Sequence, residues 1–120
     1  MGYSFNQRIR KRQAPEAHLL LSVLKYLDAA GWDCGKVKVK GSFTTKGTFI
    51  FDRYLMRGLP DALAFKGSRM LAIETKAGAN SLTAEQERFK KNFHFPPYRE
   101  YVEVRSLADI EAILDDKITL

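Results

Sequence analysis

Asp61, Glu74 and Lys76 are the residues whose types and spacing could do chemistry. Two strand-like runs, residues 61–66 and 69–76, are separated by Gly67-Ser68, and a pair beginning with glycine is a standard tight hairpin connection. With Lys66 opposite Arg69, counting back along both strands sets Asp61 directly across from Glu74 on one face, their Cβ atoms roughly 5 Å apart. The alternation of a strand adds Lys76 to that face. Opposed carboxylates repel, so the pair needs an offset. The lysine could supply it, as could a proton shared between the acids. A divalent cation offsets it best, and oxygen ligands suit magnesium or manganese. A cation so held lowers the pKa of water, which is hydrolytic chemistry. The bland alternative is an exposed charged strand edge with Lys76 as an ordinary ion-pair partner. Leu63, Phe65, Met70 and Ala72 share the face, however, and make it at least half buried, where charges rarely gather without purpose.

Two helices must position this set. Pro15 suits the first position of a helix and Gly31 its end. Between them Leu20, Val23, Leu24 and Leu27 form a stripe at helical spacing. Glu16 stands on the same stripe, as a first-turn acid favoured by the helix dipole or, if this helix covers the acidic face, as a third carboxylate beside Asp61 and Glu74. A second helix spans about 83–93. Gln86 shares its inward stripe with Phe89 and Phe93, yet Thr83-Ala84-Glu85-Gln86 also has capping-box spacing.

The remaining pattern is that of an α/β domain. Residues 36–40 alternate lysine with valine and read as a half-buried strand with its lysines on one side. Residues 44–54 read as a hairpin turning at Lys46-Gly47, and 41–48 lack the Gly-Lys order of a nucleotide-binding loop. A last strand lies near 101–105. A helix over 106–115 follows, with Ser106 and Asp109 at cap spacing. At 120 residues the chain makes one domain, residues 14–120, behind a basic arm, residues 1–13. The net charge of +6 favours an anionic partner, nucleic acid ahead of a membrane surface. Cys34 is the sole cysteine and the histidines are only His18 and His94, which excludes an internal disulfide and disfavours a zinc site. With no apolar run long enough to span a bilayer and no signal-peptide pattern, the expected location is the cytoplasm.

Gly58-Leu59-Pro60-Asp61, Glu74-Thr75-Lys76, Leu82-Thr83 and Gln86 resemble the VRR-NUC branch of the PD-(D/E)XK nucleases. The carboxylate separation and the preceding helical Glu16 are also similar to archaeal-type Holliday junction resolvases. The resemblance covers residues 14–114. It implies a restriction-endonuclease-like core, a central mixed β-sheet flanked by α-helices. It further implies a structure-selective, magnesium-dependent DNA endonuclease, with manganese also supporting activity. Such a protein acts as a homodimer on four-way junctions in a prokaryotic or phage-infected cell. Nucleases for flaps, nicks or duplex ends, and a non-catalytic DNA-binding module on the same fold, are the alternatives. By the resemblance Asp61, Glu74 and the backbone carbonyl of Thr75 hold the metal, with Glu16 directly or through water. Lys76 orients water or stabilises the phosphate, and Gln86 positions phosphate or Lys76. Thr75 stands where an aliphatic residue is usual, residues 41–57 are longer than a minimal member needs, and Phe95-Pro96-Pro97-Tyr98 replaces a glycine-containing approach to the last strand. Arg8, Arg10, Lys11, Arg12, Lys36, Lys38, Lys40 and Arg57 are candidate phosphate contacts. The apolar Phe49-Ile50-Phe51 is the candidate dimer interface, against packing into its own core.

Overall fold

Helix α1 (Phe5–Ala29) stops where a glycine lets it. Gly31 takes φ +87°, and the N–H groups of Gly31 and Trp32 donate to the carbonyls of Asp28 and Leu27 at 3.0 and 2.9 Å. This is a Schellman cap, whose left-handed residue glycine adopts at little steric cost. The structure, a computed structural model, describes side chains over residues 15–38 and 54–115, and backbone alone over 5–14, 42–43 and 49–50.

The start of α1 departs from the sequence reading, because Pro15 lies inside the helix and not at its first turn. Residues 7–14 consist mainly of Gln, Arg, Lys and Ala, good helix formers that carry the helix through a position lacking an N–H. From Phe5 onward the basic arm is therefore continuous with α1. The side chains of Arg8, Arg10, Lys11 and Arg12 lie outside the described residues.

The strands are β1 (Asp33–Lys36), β2 (Ser42–Phe43), β3 (Phe49–Ile50), β4 (Ala62–Lys66), β5 (Arg69–Thr75) and β6 (Arg99–Val104), with α2 (Ala84–Phe93) before β6 and α3 (Leu107–Asp115) after it. One mixed sheet runs β1-β4-β5-β6, while β2 and β3 pair separately. The first three strands of that sheet are antiparallel neighbours, and β6 joins β5 in parallel through α2. The result is a small α/β domain with a mixed sheet flanked by helices. The β2–β3 pair is antiparallel, Ser42 with Ile50 and Phe43 with Phe49; the expected turn at Lys46-Gly47 lies outside the described residues. The strand in this region is Asp33–Lys36, so of the described part of the expected 36–40 strand only Lys36 belongs to it, and Val39 and Lys40 lie outside the described residues. Its extent is set by pairing with β4, from Asp33↔Phe65 to Lys36↔Ala62, rather than by the local Lys-Val alternation.

The core lies on one face of the sheet. Ala62, Ala64, Leu71, Ile73, Val102 and Val104 pack there with Val23 and Leu27 of α1, Trp32 and Ile110 of α3. Both α1 and α3 cover this face, which settles the choice the sequence left open: α1 lies opposite the acidic face. The apolar stripe of α1 meets the continuous apolar surface, whereas the opposite face offers half-buried Leu63 and Met70 and leaves Phe65 46% exposed. Helix α2 takes that second face, with Phe89 against Tyr101 at 6.1 Å between rings. Among the described residues no helix is long and apolar enough to cross a membrane.

Candidate active site

The β4–β5 hairpin holds the register the sequence predicts, from Lys66↔Arg69 through Ala62↔Ile73. Gly67 supplies the turn at φ +58°. The ladder ends at Ala62, and Asp61 occupies the bend before it, its carbonyl accepting the Val37 N–H at 2.8 Å. Asp61 therefore meets β5 at its end. Its Oδ2 accepts both the backbone N–H and the hydroxyl of Thr75, each at 2.8 Å.

Glu74 is only 4% exposed. Its Oε1 accepts a hydrogen bond from Gln86 Nε2 at 2.9 Å, and Lys76 Nζ stands 3.6 Å from the same oxygen. Its Oε2 is buried and has no hydrogen-bond partner among the described residues. Burial, with the neighbouring charge of Asp61 second, raises the Glu74 carboxyl from 4.5 to about 7. Lys76 and the Asp61 backbone N–H pull in the opposite direction and do not prevail.

Gln86 ties these groups to α2. Its Oε1 accepts the Thr83 N–H at 2.9 Å while Gln86 N–H donates to Thr83 Oγ1 at 3.2 Å, completing a capping box. The same Oε1 accepts from Lys76 Nζ at 3.1 Å. Both sequence readings of Gln86 hold together, since the carboxamide oxygen caps the helix and holds the lysine while its nitrogen reaches Glu74. Gly58 explains how α2 comes so close. It has φ +70°, and a Cβ there would lie 2.3 Å from the Glu85 carbonyl oxygen.

Glu16 is placed elsewhere. Its Oε1 accepts the Ala77 N–H at 2.9 Å, just beyond Lys76, and the side-chain charges acting on Glu74 are those of Asp61 and Lys76. Among the described residues no three His, Cys, Asp or Glu side chains converge as a metal-ligand group. Lys36 and Lys38 are exposed. Arg57 lies 3.5 Å from Glu85 with both side chains more than half exposed. Lys40 and Phe51, and the side chains of Phe49 and Ile50, lie outside the described residues.

Sequence reasoning missed two side chains. The Thr75 hydroxyl anchors Asp61, and its signal was already visible as the departure from an aliphatic residue. Tyr101 pairs with Ala72 across β5 and β6 and so shares the acidic face. Its hydroxyl is buried without a partner among the described residues. Burial and then the negative charge of Glu74 hold the phenol above its ordinary range. No family model, curated protein or solved structure matches the chain.

Proposed function

We propose that the chain is a divalent-metal-dependent DNA endonuclease on a PD-(D/E)XK-type core, related to the VRR-NUC and archaeal-type junction-resolving nucleases. The observation that carries this reading is the buried Glu74 oxygen without a donor among the described residues, set beside Asp61 and flanked by the Lys76 amine. Two neighbouring acids with an uncommitted oxygen fit a hard cation, which takes oxygen ligands and cancels the repulsion. Asp61 and Glu74 would hold it, with the Thr75 carbonyl and a water on Glu16 as the further ligands the resemblance implies.

When bound, the cation supplies Lewis acidity toward a phosphodiester and lowers the pKa of water. Lys76, steadied by Gln86 at 3.1 Å, sets positive charge where phosphate oxygens become more negative. Hydrolysis then breaks the P–O3′ bond and leaves 5′-phosphate and 3′-hydroxyl ends. The net charge of +6 supports a polyanionic substrate. A four-way junction needs two nicks and each chain carries one site, so a symmetric dimer is the economical assembly, working in the cytoplasm of a prokaryotic or phage-infected cell.

The test is magnesium-dependent cleavage of a labelled four-way junction by wild type and by Asp61→Asn. The asparagine oxygen can still accept from Thr75, so the variant is expected to fold, to bind DNA and not to cut. Full cleavage by Asp61→Asn refutes the site. Binding without any nick in wild type across a magnesium titration favours a non-catalytic DNA-binding module. Parallel flap, nicked and linear substrates rank the structures. A monomeric mass with undiminished junction cleavage counts against the dimer.

A further inference from the structure

Beside the acidic centre lies a groove of about 700 Å³ between residues 54–57 and α2, with Arg57, Arg88, Arg99, Phe89, Phe93 and Tyr54 on its walls. Among the described residues the lining carries Arg88 and Arg99 in addition to the Arg57–Glu85 ion pair, so an anionic occupant is favoured. The walls also offer flat faces. Phe89 and Phe93 stack at 5.5 Å, and the Arg99 guanidinium lies 5.8 Å from the ring of Phe93 and 5.8 Å from that of Phe95. Phe95 is 60% exposed and stacks on Tyr98, itself 48% exposed, at 6.3 Å. An aromatic and arginine strip thus leads from the groove to the surface.

The groove and the site are built on the same two stretches of chain. Residues 54–57 on its wall lead along the chain into Gly58-Leu59-Pro60-Asp61, and Glu85 on its α2 wall precedes Gln86. We propose that this groove binds an unpaired stretch of DNA, with bases against the aromatic and guanidinium faces and phosphates on Arg88 and Arg99. Bases in a duplex hide their faces in the stack, whereas a single strand presents them to aromatic side chains without regard to sequence. The volume falls in the range of pockets that enclose a nucleotide-sized ligand.

This inference rests on the reading of the chain as DNA-acting, and its test keeps the two apart. A labelled ten-residue oligothymidylate is titrated with wild-type protein in EDTA, with a hairpin duplex of equal charge as the control. The Arg88→Ala, Arg99→Ala and Phe95→Ala variants change exposed positions, and their thermal melts should match wild type. Each is expected to bind the single strand about tenfold more weakly, as loss of a stacking or cation–π contact predicts, with duplex affinity within about twofold of wild type. No single-strand binding by wild type, no loss in the variants, or equal loss on duplex overturns the groove. Asp61→Asn should bind the oligothymidylate like wild type. Selective single-strand loss without magnesium-dependent cleavage by wild type would leave the groove standing and reject the nuclease.

Discussion

Replacing Glu74 by glutamine should stabilise the metal-free protein, increasingly so as pH rises from 4.5 to about 7. In the folded chain the Glu74 carboxyl is raised to about 7 against an ordinary 4.5. Below pH 4.5 both folded and unfolded chains hold the proton, and the residue contributes nothing to the pH dependence. Between 4.5 and about 7 the folded chain keeps a proton that the unfolded chain has released, so stability falls as pH rises. Above that window the penalty is complete, about 3 kcal/mol at 1.36 kcal/mol per pH unit. Glu74→Gln removes the charge but keeps an oxygen to accept from Gln86 Nε2. Its amide nitrogen replaces Oε2, which has no partner among the described residues, and costs about 1 kcal/mol at every pH if it too finds none.

Urea unfolding in EDTA measures this directly. The stability difference, variant minus wild type, should become more positive by about 3 kcal/mol between pH 4.5 and 8.5. Magnesium should remove most of the variant's advantage at pH 8.5. A cation in hundredfold excess over its dissociation constant adds about 2.7 kcal/mol to wild type, and it should add almost nothing to the variant. A difference that does not change with pH would refute the claim that a charged Glu74 is buried against Asp61.

Gly58→Ala should cost about 3 kcal/mol in urea unfolding, because the Cβ meets the Glu85 carbonyl at 2.3 Å in a left-handed backbone conformation; a cost below about 1 kcal/mol would mean α2 is not held there. Thr75→Val leaves the backbone bond to Asp61 and removes the hydroxyl bond, so a loss of about 1 kcal/mol is expected, with weaker magnesium binding by calorimetry. Unchanged binding would show that the hydroxyl does not orient Asp61. Tyr101→Phe deletes a buried hydroxyl that has no partner among the described residues, and thermal melts should show it equal to wild type or more stable by about 1 kcal/mol. A clear destabilisation would reveal a bond that the hydroxyl makes in solution.

Local rules made the hairpin legible. A two-residue turn fixes which residues face each other, and strand alternation then fixes the faces, so Glu74 and Lys76 emerge together from the sequence. Asp61 stands one residue past the last paired position, and its bond to Thr75 depends on a bend that no alternation encodes. Helix docking was not legible, because the stripe through Leu20, Val23, Leu24 and Leu27 says which side of α1 is buried and not which sheet face receives it. Both faces of the hairpin carry apolar residues. Only the addition of Val102 and Val104 from the distant β6 makes one of them continuous. The position of Glu16, which accepts the Ala77 N–H just past the end of β5, was not legible for the same reason. The strand at Asp33–Lys36, with Gly35 inside it, has little intrinsic strand preference and forms through pairing with β4.

The capping box of α2 has a consequence for how the site is held. Glutamine at that position commonly serves only the helix terminus, but here its oxygen serves Thr83 and Lys76 and its nitrogen serves Glu74. Any displacement of the first turn of α2 therefore moves the lysine and releases the one described side-chain donor hydrogen-bonded to Glu74. Gly58 leaves the room that lets this turn sit against the chain leading into Asp61. The two acids are thus positioned from different directions, Asp61 by the end of β5 and Glu74 by α2. Their separation depends on how closely helix and hairpin pack. Without α2 the site would lose its lysine tether while keeping the Asp61–Thr75 bonds, so the helix is the element on which the arrangement of the site most depends.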